Sequence, residues 1–204
     1  MIYHLTAFVI GFVLDRIIGD PMDFPHPIRL IGRLISFFDK KLLGDVSGEA
    51  APNRDPGKER AKGFLMVALM LFLTGAVVST LMVVTYRIHP YAGVALEAVL
   101  TCYCLAAKSL KVESMKVAKA LKEGTLEDGK KAVSMIVGRD TVNLDEKGVI
   151  RAAVETVAEN TSDGVIAPLL CTFIGGSVLG LLYKTVNTMD SMVGYHNDRY
   201  ENFG

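Results

Sequence analysis

Net charge is the first thing this chain lacks: 22 Lys and Arg against 22 Asp and Glu leave a formal charge of zero. A neutral total gives no electrostatic basis for a nucleic-acid partner, and none is expected. Cysteine is scarce as well. Cys102, Cys104 and Cys171 all fall in apolar windows. An odd count argues against a disulfide framework, and Cys-x-Cys without a second pair is a poor zinc signal. They read as reduced packing residues. The N-terminus has no basic n-region, and Asp15-Arg16 stands where a small-residue cleavage site would be, so no signal peptide is expected. Neither Gly-x-x-x-x-Gly-Lys-Ser/Thr nor Gly-x-Gly-x-x-Gly occurs, so no nucleotide-binding loop can be read from a motif.

Charge is also missing locally. Half of the 204 residues are hydrophobic and mean hydropathy is +0.35, high for a soluble domain of this length. Gly63 to Tyr86 holds no charged residue, which makes it the clearest spanning helix. Ile88 to Ala107 is a second candidate, with a single acid, Glu97, at its middle. A carboxylate at membrane depth faces the protein interior, is protonated, or serves function. Gly164 to Tyr183 is a third uncharged run. The first helix, Met1 to Leu14, is short for a crossing and reads either as a tilted span or as a helix packed against the others.

Between these windows the chain is polar. Pro21, Pro25 and Pro27 deny Gly19 to His26 a continuous helix and place Asp20, Asp23 and His26 on a loop. A helical pattern begins at Ile28 with Pro27 at its start. Arg29 and Arg33, one turn apart, can face a phosphate together or lie on anionic lipid. Residues 44–62, rich in Gly, Pro and charge, read as a mobile solvent loop. Ser109 to Lys122 and Leu126 to Val137 read as amphipathic helices, the second stopped by Gly138. Asn143 or Asp145 can cap the next helix, whose apolar stripe is Val149, Ile150, Ala153, Val154, Val157 and Ala158.

Arg151, Glu155 and Glu159 repeat every four residues on another face of that helix, and Asp163 extends the row past its expected end. As a plain surface feature this is an Arg151–Glu155 pair worth a few tenths of a kcal/mol. Acids crowding a helix C-terminus sit in a poor electrostatic place, however, and a magnesium ion would compensate them. A second polar cluster, Lys184 to Tyr200, follows the third apolar run. The 19–62 and 108–163 segments carry eight and ten Lys and Arg, so both are expected on the cytoplasmic side. A full crossing by residues 164–183 would strand the second cluster on the other side. Pro168, Gly175, Gly176 and Gly180 offer a broken or re-entrant course instead. The expected fold is an all-α polytopic membrane helical bundle with cytoplasmic amphipathic helices, residues 1–204 forming one membrane-embedded domain.

The Gly-Asp-Pro…His-Pro stretch, Val137-Gly-Arg-Asp-Thr141, Val154 to Leu169 and Tyr183 to Tyr195 together resemble the CobD/CbiB cobalamin-biosynthesis family of adenosylcobinamide-phosphate synthases, in the right order along most of the chain. The resemblance implies an ATP-dependent amide ligase in the cytoplasmic membrane, joining adenosylcobyric acid to aminopropanol phosphate or a related amino alcohol. It implies Mg2+ with ATP, and other corrin-pathway enzymes as neighbours. Carried onto this sequence, Glu155, Glu159, Asp163 and Asp190 are the expected catalytic acids and bases. Asp140, Glu155, Glu159 and Asp163 are the expected metal ligands. His26, Arg29, Arg139, Lys184, Asn187 and Arg199 are expected to hold ATP and substrates, with Asn160 and Ser191 helping to orient them. Two positions depart from the family pattern: His196 stands where a Lys or Arg is usual, and Asp198 where Glu is usual. Family members are also longer by roughly half, so Gly204 is expected to be an incomplete end. The alternatives are a non-catalytic scaffold for corrin enzymes and a small transporter built around Glu97.

Overall fold

The computed structural model describes residues 1–19, 26–44, 54–138 and 140–204. Among them there are helices and no strand. In order they are α1 (Ile2–Ile17), α2 (Pro27–Leu42), α3 (Pro56–Ile88), α4 (Pro90–Cys104), α5 (Ala107–Glu123), α6 (Leu126–Ser134) and α7 (Glu146–Thr161). A π-helical turn (Ser162–Ile166) then runs into α8 (Ala167–Val193). Three helical runs are long and apolar enough to cross a bilayer: Pro56–Ile88, Pro90–Glu123 and Glu146–Val193.

Start signals follow local chemistry. Pro sits at the first position of α2, α3 and α4, where its missing N–H costs nothing. His26, Asp55 and His89 precede them, each accepting from a backbone N–H of the first turn. Asp145, not Asn143, caps α7 through Gly148 N at 2.8 Å. Residues 56–62, expected as loop, are the first turns of α3, because Asp55-Pro56 is a strong helix start. The rest of that expected loop, 45–53, lies outside the described residues, as do Asp20 and Asp23.

α3 and α4 form a tight antiparallel pair, and α1 lies along α4. Gly11 makes that approach possible, since a Cβ there would stand 2.7 Å from the Ala98 carbonyl oxygen and from Thr101 Cβ. α1 is therefore packed against the bundle on one side, while Val9, Ile10, Val13 and Ile17 remain exposed on the other. α5, α6 and α7 form a separate small core of Val117, Val133, Val149 and Ala152. The apolar stripe of α7 is thus centred on Val149 and Ala152, while Ile150 and Val154 face outward. α6 stops at Ser134, before the expected Gly138. We name the end of the bundle carrying Lys108 the basic end and the opposite end the His4 end.

α6 begins with a reciprocal cap. Thr125 donates from its hydroxyl (2.7 Å) and its backbone N–H (2.9 Å) to the Asp128 carboxylate, and accepts from Asp128 N. The Thr125 hydroxyl, then its N–H, hold the Asp128 carboxyl below the usual carboxylate range. The folded value lies under the unfolded one, so the stabilisation is complete at neutral pH and is lost as acid titrates the carboxylate below roughly pH 4. Backbone carbon shifts of α6 measured by NMR are expected to lose helical character first in that window; Asp128→Asn is expected to flatten the profile.

The third apolar run is not one straight helix. Gly175 (φ −127°, ψ 21°) and Gly176 (φ 63°, ψ −164°) break α8. Beyond the break the chain doubles back, so that a Cβ on Gly180 would stand 2.3 Å from Thr172 Cγ2. In an unbroken helix those residues would be about 12 Å apart along the axis. Asp163 likewise lies within electrostatic reach of Tyr183, which a straight helix would put about 30 Å away. The expected break in the segment is present, and the chain turns back at it. His4 Nε2 donates to the Phe173 carbonyl at the break, at 2.9 Å, satisfying that backbone group.

Candidate functional site

Both legs of the hairpin leave at the basic end, where α4 stops. Ala106 N donates to Gly164 O at 3.0 Å, tying the π-turn to the end of α4. Asp163 is half-buried on that turn and within electrostatic range of Tyr183, and Lys184 is within electrostatic range of Cys104. The His26 ring meets Tyr103 edge-on at 4.7 Å. His26, Asp163 and Lys184, which the sequence separates by up to 158 positions, thus converge around the last turn of α4. Further along α8, Asn187 is half-buried and Asp190 exposed, with Ser191 Oγ donating to Asn187 O at 2.9 Å. Beside them is a groove of about 640 Å3 lined by Arg29, Gly32, Arg33, Lys40 and Met192. Arg29 and Arg33 share it as their spacing predicts.

The acidic row fares differently. Arg151 Nε donates to Glu155 Oε1 at 2.8 Å on an exposed face, so the plain surface pair is what is present. Glu159 is exposed, and Asn160 and Thr161 bond back to the carbonyls of Thr156 and Val157. The helix does not end there but runs on through the π-turn, so these carboxylates face no C-terminal dipole. The electrostatic reason for a compensating cation falls away. The four-carboxylate metal set of Asp140, Glu155, Glu159 and Asp163 is not assembled: among the described residues no three His, Cys, Asp or Glu side chains group to hold an ion. Glu155 and Asp163 are about 12 Å apart along a helix axis, whereas Mg2+ needs its oxygens at about 2.1 Å. Asp140 is exposed and accepts from Val142 N at 2.9 Å. A Mg2+ ion carried by nucleotide phosphates would need only one or two protein carboxylates.

Arg199 has a structural partner. Its Nη2 donates to both oxygens of buried Asp39 (3.1 and 2.9 Å) and to Gly44 O, while the Tyr200 hydroxyl donates to Asp39 as well. Its charge is already matched, so it closes the C-terminal turn against α2 instead of standing open to phosphate. Arg54 does the same work from the other side, donating to Glu59 and to the carbonyls of Asp198 and Arg199. His26 is in part a cap, because its Nδ1 accepts from Ile28 N. Arg139 lies outside the described residues.

The sequence also hid the partners of Glu97. Its carboxylate takes the Tyr86 hydroxyl at 2.5 Å and His4 Nδ1 at 2.7 Å, beside the break at Gly176. His4 lies 93 positions away, too far for any spacing rule, and only the isolated acid in an apolar run hinted at the cluster.

Residues 8–204 match the family model described as "CobD/Cbib protein". The chain belongs to that family. Among curated relatives, the "Cobalamin biosynthesis protein CobD" of Clostridium perfringens (strain 13 / Type A) is 46% identical over 202 residues, covering 98% of this chain and 61% of the relative. The protein of the same description from Geobacter metallireducens is 48% identical over 192 residues, covering 94% and 57%. The "Cobalamin biosynthesis protein CbiB" of Salmonella typhi is 41% identical over 200 residues, covering 98% and 60%. This CobD/Cbib chain therefore spans about three fifths of the length of these relatives. No solved structure matches it. The architecture is all-α among the described residues, with three helical runs long and apolar enough to cross a bilayer.

Proposed function

We propose that this CobD/Cbib chain carries the polar face of an ATP-dependent amide ligase in the cytoplasmic membrane, with adenosylcobyric acid and aminopropanol phosphate as substrates. The observation that carries this reading is the re-entrant hairpin. It returns Lys184, Asn187 and Asp190 to the same end as His26, Asp163 and the Arg29–Arg33 groove. In the proposed sequence a substrate carboxylate oxygen attacks the γ-phosphorus of ATP and ADP leaves. The amine then attacks the acyl carbon, phosphate departs, and the ammonium proton passes to a carboxylate. Mg2+, when bound with ATP, spreads the developing phosphoryl charge. Arg29, Arg33 and Lys184 would take phosphate oxygens, Asn187 would orient an amide or phosphate edge, and Asp163 or Asp190 would receive the proton. Glu155 and Glu159 stand further out on an exposed helix face and have no part in the proton step.

The test is turnover by the reconstituted protein with adenosylcobyric acid, aminopropanol phosphate and Mg-ATP, scored as amide product and ADP in equal amounts. Asp163→Asn and Asp190→Ala are each expected to lower turnover by about 100-fold or more, with insertion unchanged; Glu155→Ala is expected to act far more weakly. Turnover that survives both aspartate substitutions rejects the site. An intact protein with no turnover at all favours the scaffold reading for these residues.

A further inference from the structure

A second basic surface lies away from this site. α5 buries Val117 and turns the opposite face outward, and Lys108, Lys111, Val112, Met115, Lys116 and Lys119 all fall within about 140° of arc there. With Arg16 of α1 they line a recess of about 460 Å3. Two features separate it from an ordinary solvated face. Val112 and Met115 are 43% and 58% exposed between the lysines, where water gains nothing from them. Arg16, which lines the recess, also has exposed apolar neighbours on α1, Val13 one turn back and Ile17 next to it.

The cations divide into two groups. Lys108 Nζ donates to the Ile17 and Ile18 carbonyls, holding the end of α1 against α5. Lys116 pairs with Glu113 and Lys119 reaches Glu123. Among the described residues Arg16 and Lys111 have no ion-pair partner. Exposed apolar side chains interspersed with cations around one recess offer a phospholipid both contacts it needs, for its acyl chains and for its phosphate.

We propose that the recess between α1 and α5 binds an anionic phospholipid, its headgroup phosphate held by Arg16 and Lys111 and its acyl chains lying along Val13 and Ile17. The site is separate from the ligase reading and stands or falls without it. It would also fix the depth at which the α5–α7 core sits against the membrane.

The chain contains no tryptophan, so Met115→Trp makes a single reporter. The intact protein is reconstituted in phosphatidylcholine vesicles containing a fixed minority of brominated lipid, either phosphatidylglycerol or phosphatidylcholine. Severalfold stronger quenching by brominated phosphatidylglycerol is expected. Each of Arg16→Gln and Lys111→Gln should reduce that preference about fivefold, equivalent to about 1 kcal/mol per cation, while Lys111→Arg should keep it. Raised salt should weaken it less than for a fully exposed charge pair. Equal quenching by the two lipids overturns the proposal, as does a preference that survives the double substitution. Reversal of the quenching by inorganic phosphate alone also overturns it, by assigning the site to the free ion.

Discussion

Gly176→Ala is expected to destabilise the protein by about 2–5 kcal/mol, seen as a large fall in unfolding temperature in detergent. Two independent effects add at this position. The backbone at φ 63°, ψ −164° is a conformation essentially confined to glycine. A Cβ there would also stand 2.6 Å from Glu97 Oε1. That oxygen cannot simply swing aside, because His4 Nδ1 holds it at 2.7 Å while Tyr86 holds its neighbour. Gly138→Ala, with no atom within 4 Å of the added methyl, is the control and should change little. Wild-type stability in Gly176→Ala would mean that the chain does not turn at this residue.

Glu97→Ala should be nearly as severe, at about 3–5 kcal/mol. The carboxylate is buried, with a side-chain exposure of 7%, and serves two donors. Deleting it strands the Tyr86 hydroxyl and His4 Nδ1 in an apolar setting. His4 Nε2 must carry hydrogen to reach the Phe173 carbonyl. One proton is therefore shared between Nδ1 and the carboxylate, either as imidazolium with carboxylate or as neutral ring with carboxylic acid. Glu97→Gln keeps an acceptor for Tyr86 and a donor for the ring, so it should retain most of the stability. If Glu97→Ala unfolds at the same temperature as the parent protein, the cluster contributes nothing to holding the hairpin.

Sequence reasoning reached the elements governed by local chemistry. Proline starts, an aspartate cap and the charge-free run from Gly63 all act within a few residues, so the helices were legible. The break in residues 164–183 was legible for a different reason: charge segregation on both sides of the segment left a straight crossing inconsistent with the neighbouring loops, and its glycines offered a place to turn. What failed was the inference drawn from the helix expected to end near Asn160. A π-turn satisfies its backbone internally and leaves no mark in the residue pattern, so α7 runs through Ser162–Ile166 where polar residues suggested a terminus. The metal set built on that terminus failed with it. The Arg199–Asp39 pair was not legible because the two residues lie 160 positions apart, beyond any spacing rule.

The hairpin also constrains how the molecule is made. Residues 163–174 span roughly 18 Å as a helix, well short of the ~30 Å hydrocarbon core, so this leg is too short to enter as a spanning segment by itself. The groups that receive its tip, His4, Tyr86 and Glu97, belong to α1, α3 and α4, all of which emerge from the ribosome earlier. Synthesis from the N-terminus thus prepares the receiving wall before the segment that needs it appears. A circular permutation that moved α1 behind α8 would deprive the incoming turn of its histidine at the moment of entry.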